Sequence, residues 1–349
     1  MRFLIWFCIF EAMAATPWAH QAVGACARID TRLAATLLHW LGQSVQVRDS
    51  TVASTRFAIA VFPECTASEM VWFLAAAVCA FRTTWWRKLA GVGFAVFTVA
   101  AVNACRIVSV FLVGAYRPAW FDTVHEEIWA GLNILAVVAI ALVWVGWVRS
   151  GARENAAAVL ENRTRHPQVR FFIQFAIVFS VGFAAAWLGI AQPTGACFRT
   201  IGTLVFSSQT GPREVDFERQ SDRETNIVIV NRALMNADGS GPVRNLNVKT
   251  RNFVWWPLCF YVALVSASPL SRRQRVWSLA SGVLIMLGMM MLLLNFTIWD
   301  NSTEVALVWL SPFWKGVVET LNINLQAFFG QGAPFLLWVL FGFRRVGFI

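Results

Sequence analysis

Three residues between positions 60 and 130 have side chains that could together perform acyl transfer. Cys65 lies in Phe62-Pro63-Glu64-Cys65-Thr66-Ala67, where a polar stretch runs into an apolar block. Of the seven cysteines it is the one placed at a water–membrane boundary beside polar residues and near a helix start, a setting that favours a thiolate nucleophile. His125 opens the apolar block 126–148, within Asp122-Thr123-Val124-His125-Glu126-Glu127. A neutral imidazole there can take a thiol proton and return it to a leaving amine. Arg106 sits inside the block 89–116, with Asn103 one helical turn before it on the same face. An intramembrane arginine costs roughly 2.5–3.5 kcal/mol on insertion scales, so it must face the bundle interior or a wet cavity. Snorkelling does not rescue it, because residue 116 lies about 15 Å further along the helix. A cation fixed there can stabilise a tetrahedral oxyanion.

Each residue also has an ordinary reading when taken alone. Cys65 can be an idle thiol at a helix start, His125 a capping or interfacial histidine, and Arg106 half of an ion pair with Glu69 or Glu11. Together they are more specific, because Cys, Arg and His fall on consecutive antiparallel helices at or near one membrane face. Glu64, Glu69 and Glu126 lie close to them in sequence and are candidate supporting residues.

The elements that must position these residues are membrane spans. The chain has 349 residues, of which 58% are hydrophobic and 14% charged, against about 25% charged in soluble domains. Apolar blocks at 3–23, 66–81, 89–116, 126–148, 171–190, 253–270, 276–298 and 326–343 are expected to form about eight transmembrane helices. The fold class is therefore an all-α polytopic membrane protein, with the first block kept as a span rather than cleaved as a signal because Glu11 interrupts it. The net charge of +10 then divides by loop. Arg2, Arg82, Arg87, Lys88, the segment 149–170, the run 271–275 and the tail hold 14 basic residues against two acidic ones, Glu154 and Glu161. The positive-inside rule places them, and both termini, in the cytoplasm. The remaining loops, with Glu126 and Glu127, carry 14 basic and 15 acidic residues and lie outside, in the periplasm of an inner-membrane protein. The charge excess is thus a topology signal, and nucleic acid is not an expected partner.

Two outer segments have structure of their own. Residues 26–42 have an amphipathic helical pattern ending at Gly42, suited to the interface, and 45–61 alternate as a hairpin around Asp49-Ser50. Residues 191–252 carry strand-like runs at Asn226–Val230 and Val243–Val248 and are expected to be a small β-rich extracytoplasmic domain. The stretch 304–325 is expected to be an interfacial helix pair. The cysteines have no metal-ligand spacing, and neither a metal nor a cofactor is expected. Most of the 18 tryptophans fall near span ends, as aromatic belts do.

The stretch from about 60 to 148 resembles the exosortase/archaeosortase family of membrane-embedded cysteine transpeptidases, and the likeness extends over roughly residues 1–150. The family carries a C-S-G-like motif, then N-x-x-R, then a His at the start of the next helix. Here the order is Cys65, Asn103-Ala-Cys-Arg106 and His125, with Thr66-Ala67 standing where Ser-Gly is usual. The resemblance implies a catalytic core at 1–150 and an accessory membrane region at 151–349. It also implies a sortase-like function: cutting exported proteins that end in a short motif, a transmembrane helix and a basic tail, through a thioester at Cys65, with transfer to an acceptor amine or cell-envelope molecule. His125 would be the acid/base, Arg106 the oxyanion partner and Asn103 a positioning residue. Two rivals share these residues: a non-enzymatic subunit or transporter with a polar pathway through Arg106, Glu69 and Glu11, and a thiol acyltransferase acting on membrane lipid.

Overall fold

The structure is a computed structural model that describes residues 2–14, 16–153, 167–189, 192–207, 213–221, 224–236, 238 and 240–341. It is mostly helical and divides into two compact units, Met1–Phe172 and Ile173–Ile349. Four described helices are long and apolar enough to cross a membrane: Trp85–Tyr116, Pro118–Val148, Val169–Trp187 and Arg272–Ser302. The other four expected blocks are shorter or broken. The reasons are local.

In the first unit, the block 3–23 is not one helix. It splits into α1 (Arg2–Ala14) and α2 (Pro17–Trp40). Proline disfavours a helical residue before it and suits the first helical position, and Thr16 caps α2 by accepting from the Ala19 amide at 3.3 Å. The amphipathic helix foreseen at 26–42 therefore begins nine residues earlier, at Pro17. Its buried stripe reads Ala27, Asp30, Thr31, Ala34, Ala35, Leu38, the spacing of one helical face. The expected hairpin is a three-stranded antiparallel meander of β1 (Gln46–Arg48), β2 (Thr51–Ala53) and β3 (Ala58–Ala60). α3 (Ser68–Ala80) has 13 residues, about 20 Å, and packs against α1 through Phe73, whose ring meets Phe3 and Phe7.

α4 (Trp85–Tyr116) is the axis of the unit. At one end Lys88 donates to the Cys79 carbonyl at 2.6 Å and Arg87 to the Val148 carbonyl at 3.2 Å. Cys79 has an orphan carbonyl at the C-terminal end of α3, where cations are favoured, and Val148 lies in the last two turns of α5 (Trp129–Arg153). At the other end Gly114 admits the Phe57 ring, which would lie 2.4 Å from any Cβ placed there. Phe57 in turn packs on Phe111 and Phe121.

In the second unit, α6 (Pro167–Trp187) is followed by α7 (Gln192–Phe206) and a three-stranded antiparallel sheet of β4 (Arg213–Arg219), β5 (Glu224–Asn231) and β6 (Val243–Lys249). The foreseen strands at 226–230 and 243–248 are thus present and paired, while α7 and β4 were not foreseen. β5 alternates buried and half-buried residues, and Ile227 and Ile229 join Val215 and Phe198 in the core. α8 (Trp256–Ala267) follows a π-helical turn at Arg251–Trp255, and α9 (Arg272–Ser302) starts at a Ser271–Gln274 capping box. Instead of a helix pair at 304–325 there is a single helix α10 (Pro312–Ala327). A second π-helical turn (Phe328–Gly332) then leads into α11 (Ala333–Phe341), a run with glycine at 330 and 332 and proline at 334.

Candidate functional site

Cys65 lies in a 3-10 turn, Pro63–Thr66, with proline at its first position and the Cys65 amide bonded to the Phe62 carbonyl at 2.8 Å. The turn ends at Ala67, whose φ of 54° is left-handed and which redirects the chain into α3. Glycine is the residue that takes this conformation without steric cost, and Ala67 stands at the position where the C-S-G-like motif has glycine. Cys65 is half-buried. It packs against the apolar cluster that joins Ala34, Ala35 and Leu38 of α2, Val52 of the meander and Ile107, Val108 and Phe111 of α4. Arg106, on α4, is within Coulombic range of it.

His125 lies in a π-helical turn, Thr123–Ile128, that leads into α5. π-turns interrupt regular helices where a side chain must be re-aimed, and this one brings His125 Nε2 to 3.5 Å from Arg106 Nη2. A guanidinium has only donors, so the imidazole nitrogen facing it is the acceptor and the ring proton sits on Nδ1. The Phe121 ring stacks on the imidazole at 5.5 Å between centroids. One turn later Trp129 donates to Ser109 Oγ at 2.8 Å, and Ser109 donates to the Arg106 carbonyl at 2.9 Å. Two i,i+3 or i,i+4 pairs, Arg106 with Ser109 and His125 with Trp129, therefore bolt α4 to the start of α5.

Asn103 is almost fully buried at 1% exposure, and its Nδ2 donates to Asp30 Oδ2 at 2.8 Å. Asp30 is itself 5% exposed, on the buried stripe of α2, which lies outside the four candidate spans. Burial pushes its carboxyl above the ordinary carboxylate range, and the Asn103 hydrogen bond partly offsets this. Asn103 Oδ1 is buried without a hydrogen-bond partner among the described residues. The residue lines a narrow crevice with Ala67, Met70, Val102 and Asn133.

The structure thus brings Arg106 and His125 together, leaves Cys65 within Coulombic range of Arg106, and sets Asn103 one turn below Arg106. Among the described residues no carboxylate forms an ion pair with Arg106, so the expected alternative pairing with Glu69 is not seen. Glu69 is exposed in the first turn of α3, and Glu126 is half-buried in the π-turn beside His125. The side chains of Glu11 and Glu64 lie outside the described part of the structure, as do residues 154–166 and the basic tail. Asp30, Ser109 and Trp129 were not singled out from the sequence.

Residues 1–145 match the family model of the transmembrane exosortases. No curated protein and no solved structure matches the chain. Over that segment the chain resembles a transmembrane exosortase, and with its apolar helices it is a multi-pass membrane protein.

Proposed function

We propose that the exosortase-like segment makes this chain a membrane cysteine transpeptidase/endopeptidase for C-terminal sorting signals. The observation that supports the reading is that Arg106 faces His125 at 3.5 Å and lies within Coulombic range of Cys65, all three inside the matched residues 1–145. The substrate is an exported protein ending in a short motif, an apolar helix and a basic tail, with the motif beside Cys65 at the outer membrane surface.

The chemistry follows from the side chains. His125 Nε2 exchanges its contact with Arg106 for one with the Cys65 thiol and takes its proton, and the thiolate sulfur attacks the carbonyl carbon of the scissile amide. Negative charge moves to the carbonyl oxygen, where the Arg106 guanidinium, with donors beyond the one facing His125, stabilises it. When the C–N bond breaks, the imidazolium returns its proton to the leaving nitrogen, and the tail fragment departs as an amine. The acyl group remains as a thioester on Cys65. An acceptor amine then gives a proton to His125, attacks the thioester, and releases the Cys65 thiolate, which recovers a proton from the imidazolium. Water in place of the amine gives hydrolysis.

The test uses the full chain in membranes. A membrane-impermeant thiol reagent applied from outside should label the wild type more than Cys65→Ala, and labelling should stop processing of a co-expressed exported protein that ends in a motif, a span and a basic tail. A peptide-bearing thioester trapped on Cys65 supports the reading. An acyl chain on that sulfur would establish the lipid acyltransferase instead, and normal processing in Cys65→Ala cells would end the enzyme reading altogether.

A further inference from the structure

An acceptor buried in a membrane protein with no hydrogen bond is destabilising by a few kcal/mol, so Asn103 Oδ1 needs a reason. Its orientation is not accidental. The other end of the amide is held by Asp30: Asn103 Nδ2 donates to Asp30 Oδ2 at 2.8 Å, so the Asn103 carbonyl faces away from it. The carbonyl belongs to a side chain lining the crevice that Ala67, two residues past Cys65, and Asn133 of α5 also line. The remaining lining groups named above are apolar. A peptide entering this region to reach Cys65 brings backbone N–H groups that must be satisfied, because there is little water to replace what they lose.

We infer that Asp30 is a positioning residue that aims the Asn103 carbonyl at a backbone N–H of the peptide substrate, next to the bond attacked by Cys65. This deepens the sorting reading and rests on it. Asn103 is then a bridge with two ends: one fastens α2 to α4, and the other is a subsite for peptide amide. Asp30 never touches the substrate. Its effect passes through the direction in which a single amide faces.

Three variants separate this role from a structural one. In Asp30→Asn the new side chain can offer residue 103 either a donor or an acceptor, so the Asn103 carbonyl is turned inward in part of the molecules. In Asn103→Asp the acidic pair repels and the aim is lost. In the double variant Asp30→Asn/Asn103→Asp, the amide introduced on α2 donates to one oxygen of the carboxylate introduced on α4. The other oxygen is left facing the crevice, which restores an aimed acceptor.

The experiment measures processing of the same exported reporter, and in parallel the rate of Cys65 labelling by the impermeant reagent. Each single variant should lower thioester formation roughly 10- to 100-fold with Cys65 labelling unchanged. The double variant should recover at least a factor of about ten over either. Unchanged processing in Asp30→Asn overturns the inference, as does a double variant no better than the singles. Labelling that falls in proportion to processing overturns it too, since that is the mark of a merely structural contact. A wild type that labels at Cys65 but cleaves no reporter defeats the sorting reading itself, and that outcome is distinct from the three that defeat the role of Asp30 alone.

Discussion

Ala67 is the most economical place to test how the site is built. Its φ of 54° puts an L-residue in the left-handed region at the hinge between the Cys65 turn and α3. That conformation costs roughly 1–2 kcal/mol for a residue with a Cβ. Glycine removes the clash but gives back roughly 0.5–1 kcal/mol through the greater freedom of the unfolded chain. Ala67→Gly should therefore stabilise the first unit by about 0.5–1 kcal/mol net. For a unit of 172 residues, at roughly 2–4 °C per kcal/mol, this is a rise in Tm of about 1–4 °C. Ala67→Val should do the opposite, because a β-branched residue at positive φ is a true outlier. The expected order of stability is Gly above Ala above Val, read by tryptophan fluorescence on heating the solubilised chain. External labelling of Cys65 should be kept in Ala67→Gly and reduced in Ala67→Val, whose turn cannot close as drawn. If valine and glycine gave the same Tm, or if glycine lowered it, the left-handed turn would not be what holds Cys65 in place.

Other perturbations probe separate parts of the same reasoning. His125→Ala should leave Cys65 labelling in place while abolishing turnover of the adduct; unchanged turnover would remove His125 from the mechanism. Arg106→Lys keeps the charge but loses the planar fork, so it should lose most activity, at least about tenfold, with only a minor effect on abundance in the membrane. Asp30 also predicts a pH dependence. Its folded-state carboxyl is raised, so its contribution to stability is fully present below the unfolded value of about 3.9 and is lost as pH rises through the raised value. At neutral pH Asp30→Asn should then be as stable as the wild type or more so, and a thermal melt showing marked destabilisation would contradict this. In the second unit, Gly282→Ala would place a Cβ 2.0 Å from the Tyr261 hydroxyl, which donates to the Ser278 carbonyl at 2.6 Å. Overpacking of this kind typically costs about 1–3 kcal/mol, and a Tm equal to wild type would show that Tyr261 can move aside.

Much of the site was legible because its residues violate their surroundings. Arg106 stands out in an apolar block, while Cys65 and His125 stand at block edges and gain meaning only from their order with Arg106. Asp30 violates its surroundings too, but only once the helical face is drawn. Within 26–42 it occupies the stripe of Ala27, Thr31, Ala34 and Leu38, and a charge on that stripe was the available signal. The π-turn that re-aims His125 had no such mark, since it depends on how Trp129 and Ser109 meet across two helices rather than on any local sequence rule. Only four of the eight expected blocks are single long described helices, for a related reason. Hydropathy measures blocks, whereas Thr16-Pro17 and the π-turns at 251–255 and 328–332 divide them, and only the backbone shows where a block is one helix and where it is two.

The partners of Asp30 and Arg106 bear on the proposed chemistry. The simplest structural use of an intramembrane arginine is an ion pair, in which a carboxylate occupies its donors permanently. Here a buried carboxylate does lie on the neighbouring helix, yet Asp30 is bonded to Asn103, and Arg106 faces an imidazole at 3.5 Å. The amide of Asn103 takes the carboxylate and leaves the guanidinium donors uncommitted to any described carboxylate. In the proposed reaction such a cation serves an anion that exists only while the bond is being broken. That role predicts an asymmetry. Arg106→Gln should insert and fold, since it removes a charge that no described carboxylate balances, but it should not form the Cys65 thioester. If Arg106→Gln were instead degraded or absent from the membrane while Arg106→Lys stayed fully active, the arginine would be a structural charge, and the oxyanion role assigned to it would be wrong.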